Sequence, residues 1–243
     1  MDAMKVGKEM MAVLASDGLG DLSKDAIELM IDATMEDGLL QDAPIVGTLF
    51  NLAKLGAGIR DRLLARKLFR FLREVSDLTA SERARVVDEL AGTDAKREKV
   101  GEVIIDVIDR SGTEDKAALI GLLFVAAGRK IIPSDSVIRL SAIISQASLS
   151  DLVALADSGV SAIANDRRFA LQANGLLTWK ITNPPNVSAT VSVKALADAV
   201  YETPFELEWA LSKDADTIVA VCFNDEEPAE SRRGRFFDDV VVY

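Results

Sequence analysis

The chain of 243 residues contains no histidine at all and a single cysteine, Cys222. Without imidazole there is no Ser-His-Asp or Cys-His arrangement, no HExxH zinc site and no histidine base poised near neutrality. One thiol excludes an internal disulfide and every multi-cysteine zinc or iron–sulfur site, and it points to a reducing compartment. Long apolar runs are also scarce. The most membrane-like window, APIVGTLFNLAKLGAGI at residues 43–59, is 17 residues long and carries Asn51 and Lys54 inside it. A spanning helix needs about 20 residues, so a buried core helix is expected there, with a peripheral or re-entrant membrane element as the alternative. The short run from Met10 to Ala15 has acidic residues on both sides, unlike a secretory leader. Gly18-Leu19-Gly20 and Gly56-Ala57-Gly58 lack any phosphate-loop context, and no D-x-D-x-D-G or Walker pattern occurs. No cofactor and no metal is expected.

What the chain does have is enough apolar material to fold: 49% of residues are hydrophobic and 28% charged, with only 6 prolines. At this size roughly 70–75% of the extended surface is buried on folding, so a core can form without staples. The net charge of −11 is unevenly spread. Residues 1–43 hold 3 basic and 10 acidic side chains, whereas residues 44–75 hold 7 basic and 2 acidic ones. An acidic envelope disfavours nonspecific nucleic-acid binding, and the basic segment is expected to dock on the acidic N-terminus, an acidic partner or an anionic membrane surface.

Helical signals dominate as far as residue 150. A helix is expected over residues 3–15, and another after Ser23 carrying Leu22, Ile27, Met30, Ile31 and Met35. In residues 44–76, Leu64, Leu68, Phe71, Leu72 and Val75 fall opposite Arg62, Arg66, Arg70 and Arg73 on a helical wheel. Gly47 and Gly56–Gly58 are small enough for a neighbouring backbone to come close. Thr79 or Ser81 can start ASERARVVDEL, with Glu82 completing a capping-box pattern from Thr79, Asp94 can start AKREKVGEVIIDVIDRS, and Thr113 caps EDKAALIGLLFVAAGRK. Pro133 and Ser134 open DSVIRLSAIISQAS, and Ser148 or Ser150 opens DLVALADSG. The expected fold class is therefore mainly α, a helical bundle over residues 1–150. Residues 151–243 are expected to form a small mixed α/β interaction region resembling a winged-helix end piece. Its parts are a helix at 161–173 stopped by Asn174-Gly175, a strand at 176–181, a turn, a strand at 187–193, a buried strand at 216–223 containing Cys222, an exposed loop at 225–239, and a terminal edge strand.

PIVGT, NLAKLGAGIRDRL and ARKLFRFLREVS within residues 44–76 resemble an uncharacterised group of bacterial proteins with a PxxGT–IRD–KxxRFL helical core. Those proteins continue with a GExxxxxxDR-type helix, matched here by Gly101 to Arg110. The resemblance covers roughly residues 20–180 and implies no activity. Its implied setting is a stress or phage-defence system. Residues 67–147 also loosely resemble the helical domain of tellurite-resistance proteins, but that family's acidic motif has no residue-by-residue match in this chain, and no metal site is carried over.

Candidate sites are few. Arg62, Arg66, Arg70 and Arg73 can meet phosphates or pair with carboxylates such as Glu28, Asp32 and Glu36, and Asp61 can form a salt bridge among them. Glu102, Asp106 and Asp109 share one helical face, with Asp135 downstream, a grouping that suits magnesium or acid–base work but is commonplace on solvated helices. Arg167, Arg168, Trp179 and Lys180 mark the C-terminal region, where three cations make a weak case for nucleic acid and Trp179 a better one for protein contact. The expected function is a non-enzymatic bacterial interaction or scaffold protein with a protein partner or a homo-oligomeric state. It would be cytoplasmic, with peripheral attachment at the inner membrane as an alternative. The rivals are a membrane-perturbing effector using residues 43–73 and, more weakly, a nucleic-acid-binding regulator.

Overall fold

The computed structural model describes residues 3–21, 26–27, 59–182 and 206–223. Over these residues the chain is a helical bundle followed by a small two-stranded region. The bundle comprises α1 (Ala3–Ala15), α2 (Gly18–Asp21), α3 (Ile59–Val75), α4 (Ala80–Leu90), α5 (Asp94–Arg110), α6 (Glu114–Gly128), α7 (Ser136–Gln146) and α8 (Leu149–Ser158). A 3-10 turn at Gly159–Ala162 leads to α9 (Asn165–Ala173), β1 (Leu177–Ile181), β2 (Leu207–Leu211) and α10 (Lys213–Cys222).

Local chemistry sets the helix starts. Thr79 accepts from the Glu82 amide while the Glu82 carboxylate accepts from the Thr79 amide, a complete capping box. Thr93, Thr113 and Ser148 each accept a first-turn amide in the same way. α5 therefore begins one residue earlier than the sequence suggests, with Asp94 placed inside the first turn, where a carboxylate is favoured. α9 ends at a Schellman motif in which Leu176 N–H donates to Leu171 O and Gly175 takes φ +80°. α6 ends in the same motif, Ile131 N–H donating to Ala126 O, but there the left-handed position is filled by Lys130 at φ +61°.

Packing is tightest where glycines face backbone. An added Cβ on Gly101 of α5 would lie 2.0 Å from Gly7 O, and one on Gly7 of α1 would lie 2.3 Å from Glu98 O, so α1 and α5 cross almost backbone on backbone. Gly121 of α6 faces the Phe71 carbonyl of α3 in the same fashion, at 2.8 Å from its notional Cβ. Phe71 and Phe124 then meet edge to face at 5.0 Å. α6 is buried on nearly every side and forms the axis on which α3, α4, α7 and α10 pack. The inward face of α3 is the expected one, Leu64, Leu68, Phe71, Leu72 and Val75 all being buried. One core runs from α1 through to α10.

Three sequence expectations change. Residues 216–222 are helix, not strand, with Phe223 as the C-cap: Ser212 accepts from Ala215 N–H, Asp214 and Asp216 occupy the first turn, and Ala215, Ile218 and Cys222 form the buried stripe. Strand β1 pairs with Leu207–Leu211, a stretch to which the sequence reading gave no structure. The helix expected at 161–173 is split, because Ile163 and Ala164 adopt extended backbone between the 3-10 turn and α9. The close approach at Gly47 and Gly56–Gly58, the window 43–59 up to Gly58, the helix after Ser23 beyond Ile27, and the segments 187–193 and 225–243 lie outside the described residues.

Candidate functional site

Arg62, Arg66, Arg70 and Arg73 of α3 are half-buried rather than free in solvent. Arg66 Nε lies 2.9 Å from the Glu114 carboxylate and Arg73 lies 3.0 Å from Glu74. Arg62 and Arg70 are also engaged in interactions. Just outside this seam, Arg60 reaches Asp109 at 2.8 Å. The Asp61 side chain and the acids Glu28, Asp32 and Glu36 lie outside what is described.

Other cations turn inward onto the open carbonyls that end helices, where the backbone dipole attracts positive charge and four carbonyls lack intrahelical donors. Arg83, only 2% exposed, donates to Leu14 O at 3.1 Å, Ser16 O at 2.7 Å and Leu78 O at 2.5 Å, joining the end of α1 to the loop after α3. Lys67 donates to Asp109 O at the end of α5 at 2.6 Å. Lys116 donates to Ser145 O and Ala147 O at the end of α7, at 2.8 and 2.7 Å. Burial, followed by the charge of Lys67, lowers the Lys116 pKa to about 8. Arg85 donates to Gly128 O at the end of α6, and Arg168 donates to Ile163 O at 3.0 Å. The sequence reading missed Arg83, Lys67 and Lys116. Their signal was available, since each sits in phase with an apolar stripe: Arg83 with Val86 and Val87, Lys67 with Leu64 and Phe71, Lys116 with Leu119 and Ile120.

The acidic candidates do not converge. Asp106 pairs with Arg110 at 2.9 Å and Asp109 with Arg60, while Glu102 packs beside Gly7. Asp135 sits at the start of α7 without a capping hydrogen bond. Among the described residues, no three acids, cysteines or histidines are grouped to hold a metal ion. The Cys222 thiol donates to Leu119 O at 3.5 Å, and burial pushes its pKa up, away from the nucleophilic thiolate.

The C-terminal candidates gather around the two-stranded ribbon. Leu177 pairs with Leu211, Trp179 with Trp209 and Ile181 with Leu207, so these six apolar side chains occupy one face. Phe169 of α9 meets Trp209 edge to face at 5.0 Å. Phe169, Trp179 and Ile181 are 55%, 42% and 38% exposed, and they make a contiguous apolar patch at this end of the molecule. A groove of about 660 Å³ runs beside it, between α9 and β2, with Arg168 and Glu206 at its rim. The cations here are committed: Arg167 lies 2.5 Å from Asp151 and Lys180 lies 2.9 Å from Glu208. Arg167, Arg168 and Lys180 therefore face different acceptors and do not form one joined positive surface. A second groove, also of about 660 Å³, lies between the start of α7 and α10, crossed by the Arg139–Asp214 ion pair.

No single helix among the described residues is long and apolar enough to cross a membrane. The bent pair Ser136–Gln146 and Leu149–Ala162, turning by 107°, meets the requirement only jointly. Comparison with protein-family models, curated proteins and solved structures gave no match. The two resemblances stand on their quoted residues alone.

Proposed function

We propose that this chain is a non-catalytic interaction protein: a stiff helical bundle that carries the α9–β1–β2 unit as its contact surface. The carrying observation is the exposed Phe169–Trp179–Ile181 patch, set beside a bundle whose cations are largely taken up by carbonyls and carboxylates. Aromatic side chains bring large contact area at low rotamer cost, which is why they are enriched at protein interfaces. The helix–strand–strand order of this unit supports a winged-helix-like comparison. Within it, protein association fits better than nucleic-acid binding, because Arg167 and Lys180 are paired with Asp151 and Glu208.

A photo-reactive side chain placed in turn at Phe169, Trp179 and, as a control on the bundle, Val103 tests the reading in cells. The expected result is one discrete crosslinked species, from Phe169 and Trp179 only, competed away by unlabelled wild-type chain. Equal crosslinking from Val103, or none from the ribbon, overturns it.

A further inference from the structure

Two antiparallel strands leave two outer edges, and the hydrogen-bond parity shows which residues face them. Thr182 N–H donates to Glu206 O and Ser212 N–H to Leu176 O, so the even-numbered residues of β1 bond to β2. The N–H and C=O groups of Leu177, Trp179 and Ile181 consequently point away from β2. No backbone hydrogen bond to another described segment engages them. The edge of β2 differs, because β2 packs against the 3-10 turn and the Trp209 ring is covered by Phe169. On β1 all four residues after Leu177 are exposed. An exposed, apolar strand edge is a template for pairing with another chain, and most proteins blunt it.

We propose that this edge pairs with itself: β1 of one copy adds antiparallel to β1 of a second copy about a two-fold axis through Trp179, joining the two ribbons into a four-stranded sheet. This rests on the reading of the ribbon as the contact surface and names its partner.

Three features favour a second copy over an unrelated peptide. The sequence Leu177-Thr178-Trp179-Lys180-Ile181 is apolar at both ends and at its centre, so inversion about Trp179 sets Leu177 opposite Ile181 of the other copy and Trp179 opposite its equivalent. The outward groups of Leu177, Trp179 and Ile181 then fall into hydrogen-bonded pairs, giving about six new backbone bonds. Finally, the edge is charge-compatible. The chain carries a net charge of −11, yet β1 has no carboxylate, and its one cation, Lys180, is balanced by Glu208 at 2.9 Å. In the inverted register Lys180 faces Thr178, so like charges never sit opposite each other, an arrangement that would oppose pairing. The interface is isologous and closed, which ends assembly at two copies.

Sedimentation of the full chain over a wide concentration range gives the first readout, with a reversible monomer–dimer equilibrium expected. Ile181→Pro removes one outward N–H without touching the ladder to β2, and should weaken the dimer at least tenfold with an unchanged circular dichroism spectrum and melt. Because proline can still disturb the strand, a charge pair provides the second test. Trp179→Glu and Trp179→Lys should each be monomeric alone, since each places like charges across the two-fold axis. Mixed in equal amounts they should form a heterodimer.

A wild-type chain that stays monomeric at its solubility limit overturns self-pairing, as does a dimer indifferent to all three substitutions. The crosslinking experiment separates the two levels. Ribbon crosslinks to a different protein, with a monomeric chain, remove self-pairing and keep the interaction reading, whereas no ribbon crosslink removes both.

Discussion

The bundle and the ribbon handle polar and apolar groups in opposite ways. In the bundle, ammonium and guanidinium groups go inside: Arg83, Lys67 and Lys116 are buried, each serving carbonyls at the end of another helix. In the ribbon, Phe169, Trp179 and Ile181 stay outside. The contrast separates two kinds of requirement. Apart from the four-residue α2, the bundle's helices run to ten to seventeen residues, and meeting end to side they leave many carbonyls without donors, several of which a long cationic side chain reaches at once. A two-stranded ribbon has one face to bury, and α9 covers only part of it. Substitutions in the bundle should therefore act on stability, and substitutions on the ribbon on association.

Arg83→Met should give the largest effect. It leaves the carbonyls of Leu14, Ser16 and Leu78 buried without this donor, at a cost of about 4 kcal/mol in a denaturant titration. A loss below about 1 kcal/mol would mean that water or a neighbour replaces the guanidinium, and the internal-capping account would fail.

Gly101→Ala should follow at about 3 kcal/mol, because its Cβ would stand 2.0 Å from Gly7 O and the better helix propensity of alanine recovers only about 1 kcal/mol. Equal stability of variant and parent would show that α1 does not dock this closely.

Lys116 gives the comparison a pH axis. Its pKa of about 8 in the fold lies below the value of about 10.4 for an unfolded lysine. Between those two pH values the unfolded chain holds the extra proton, so the contribution of this group to stability rises with pH, by about 1–2 kcal/mol once screening by nearby solvent is allowed for. The neutral amine still has hydrogens to donate to Ser145 O and Ala147 O. Measured against Lys116→Met, the wild type should gain stability from pH 8 to pH 10.5. A flat difference would place the ammonium in contact with water.

The two Schellman motifs, one ending α6 in the bundle and one ending α9 beside the ribbon, supply a smaller effect. Lys130→Gly should stabilise by about 1 kcal/mol and Gly175→Ala should destabilise by a similar amount, as φ near +60° to +80° costs a residue with a Cβ more than it costs glycine. On the ribbon, Trp179→Ser should change stability by less than about 0.5 kcal/mol. A large loss there would turn the patch into core and erase the distinction between the two regions.

The bundle was legible wherever a cap and a stripe coincide. Thr79, Thr113 and Ser148 each sit ahead of an apolar period of 3.6, and each helix begins where that combination places it. The wheel of α3 was equally clear. Asn174-Gly175 marked the end of α9 because the left-handed turn favours a residue without Cβ. Residues 216–223 were misread because Thr217 to Phe223 is apolar on every side, which fits a buried strand or a buried helix alike. The arbiters were Ser212 and the acids Asp214 and Asp216 just before it. LEWAL was invisible because five residues with a central tryptophan carry little periodicity, and its partner strand lies across a long connection. The candidate surface was legible in part: Trp179 is on it, Arg167 and Arg168 lie beside it, and Phe169 and Ile181 escaped notice because exposure cannot be read from a short apolar alternation.

The contact between Gly7 and Gly101 also governs the order in which the chain can fold. α1 is made before its seat on α5, and its end is tied to Arg83, 69 positions from Leu14. At synthesis rates of about 5–20 residues per second, α1 waits for several seconds with Met10, Met11 and Leu14 uncovered. Local pairs such as α6 and α7 can form as they emerge, whereas α1 closes the structure late, across a large sequence separation. Of the two helices, α1 is thus the one that needs protection during synthesis. A chain slowed after residue 60 should be cut by protease near α1 long after its later helices have become resistant.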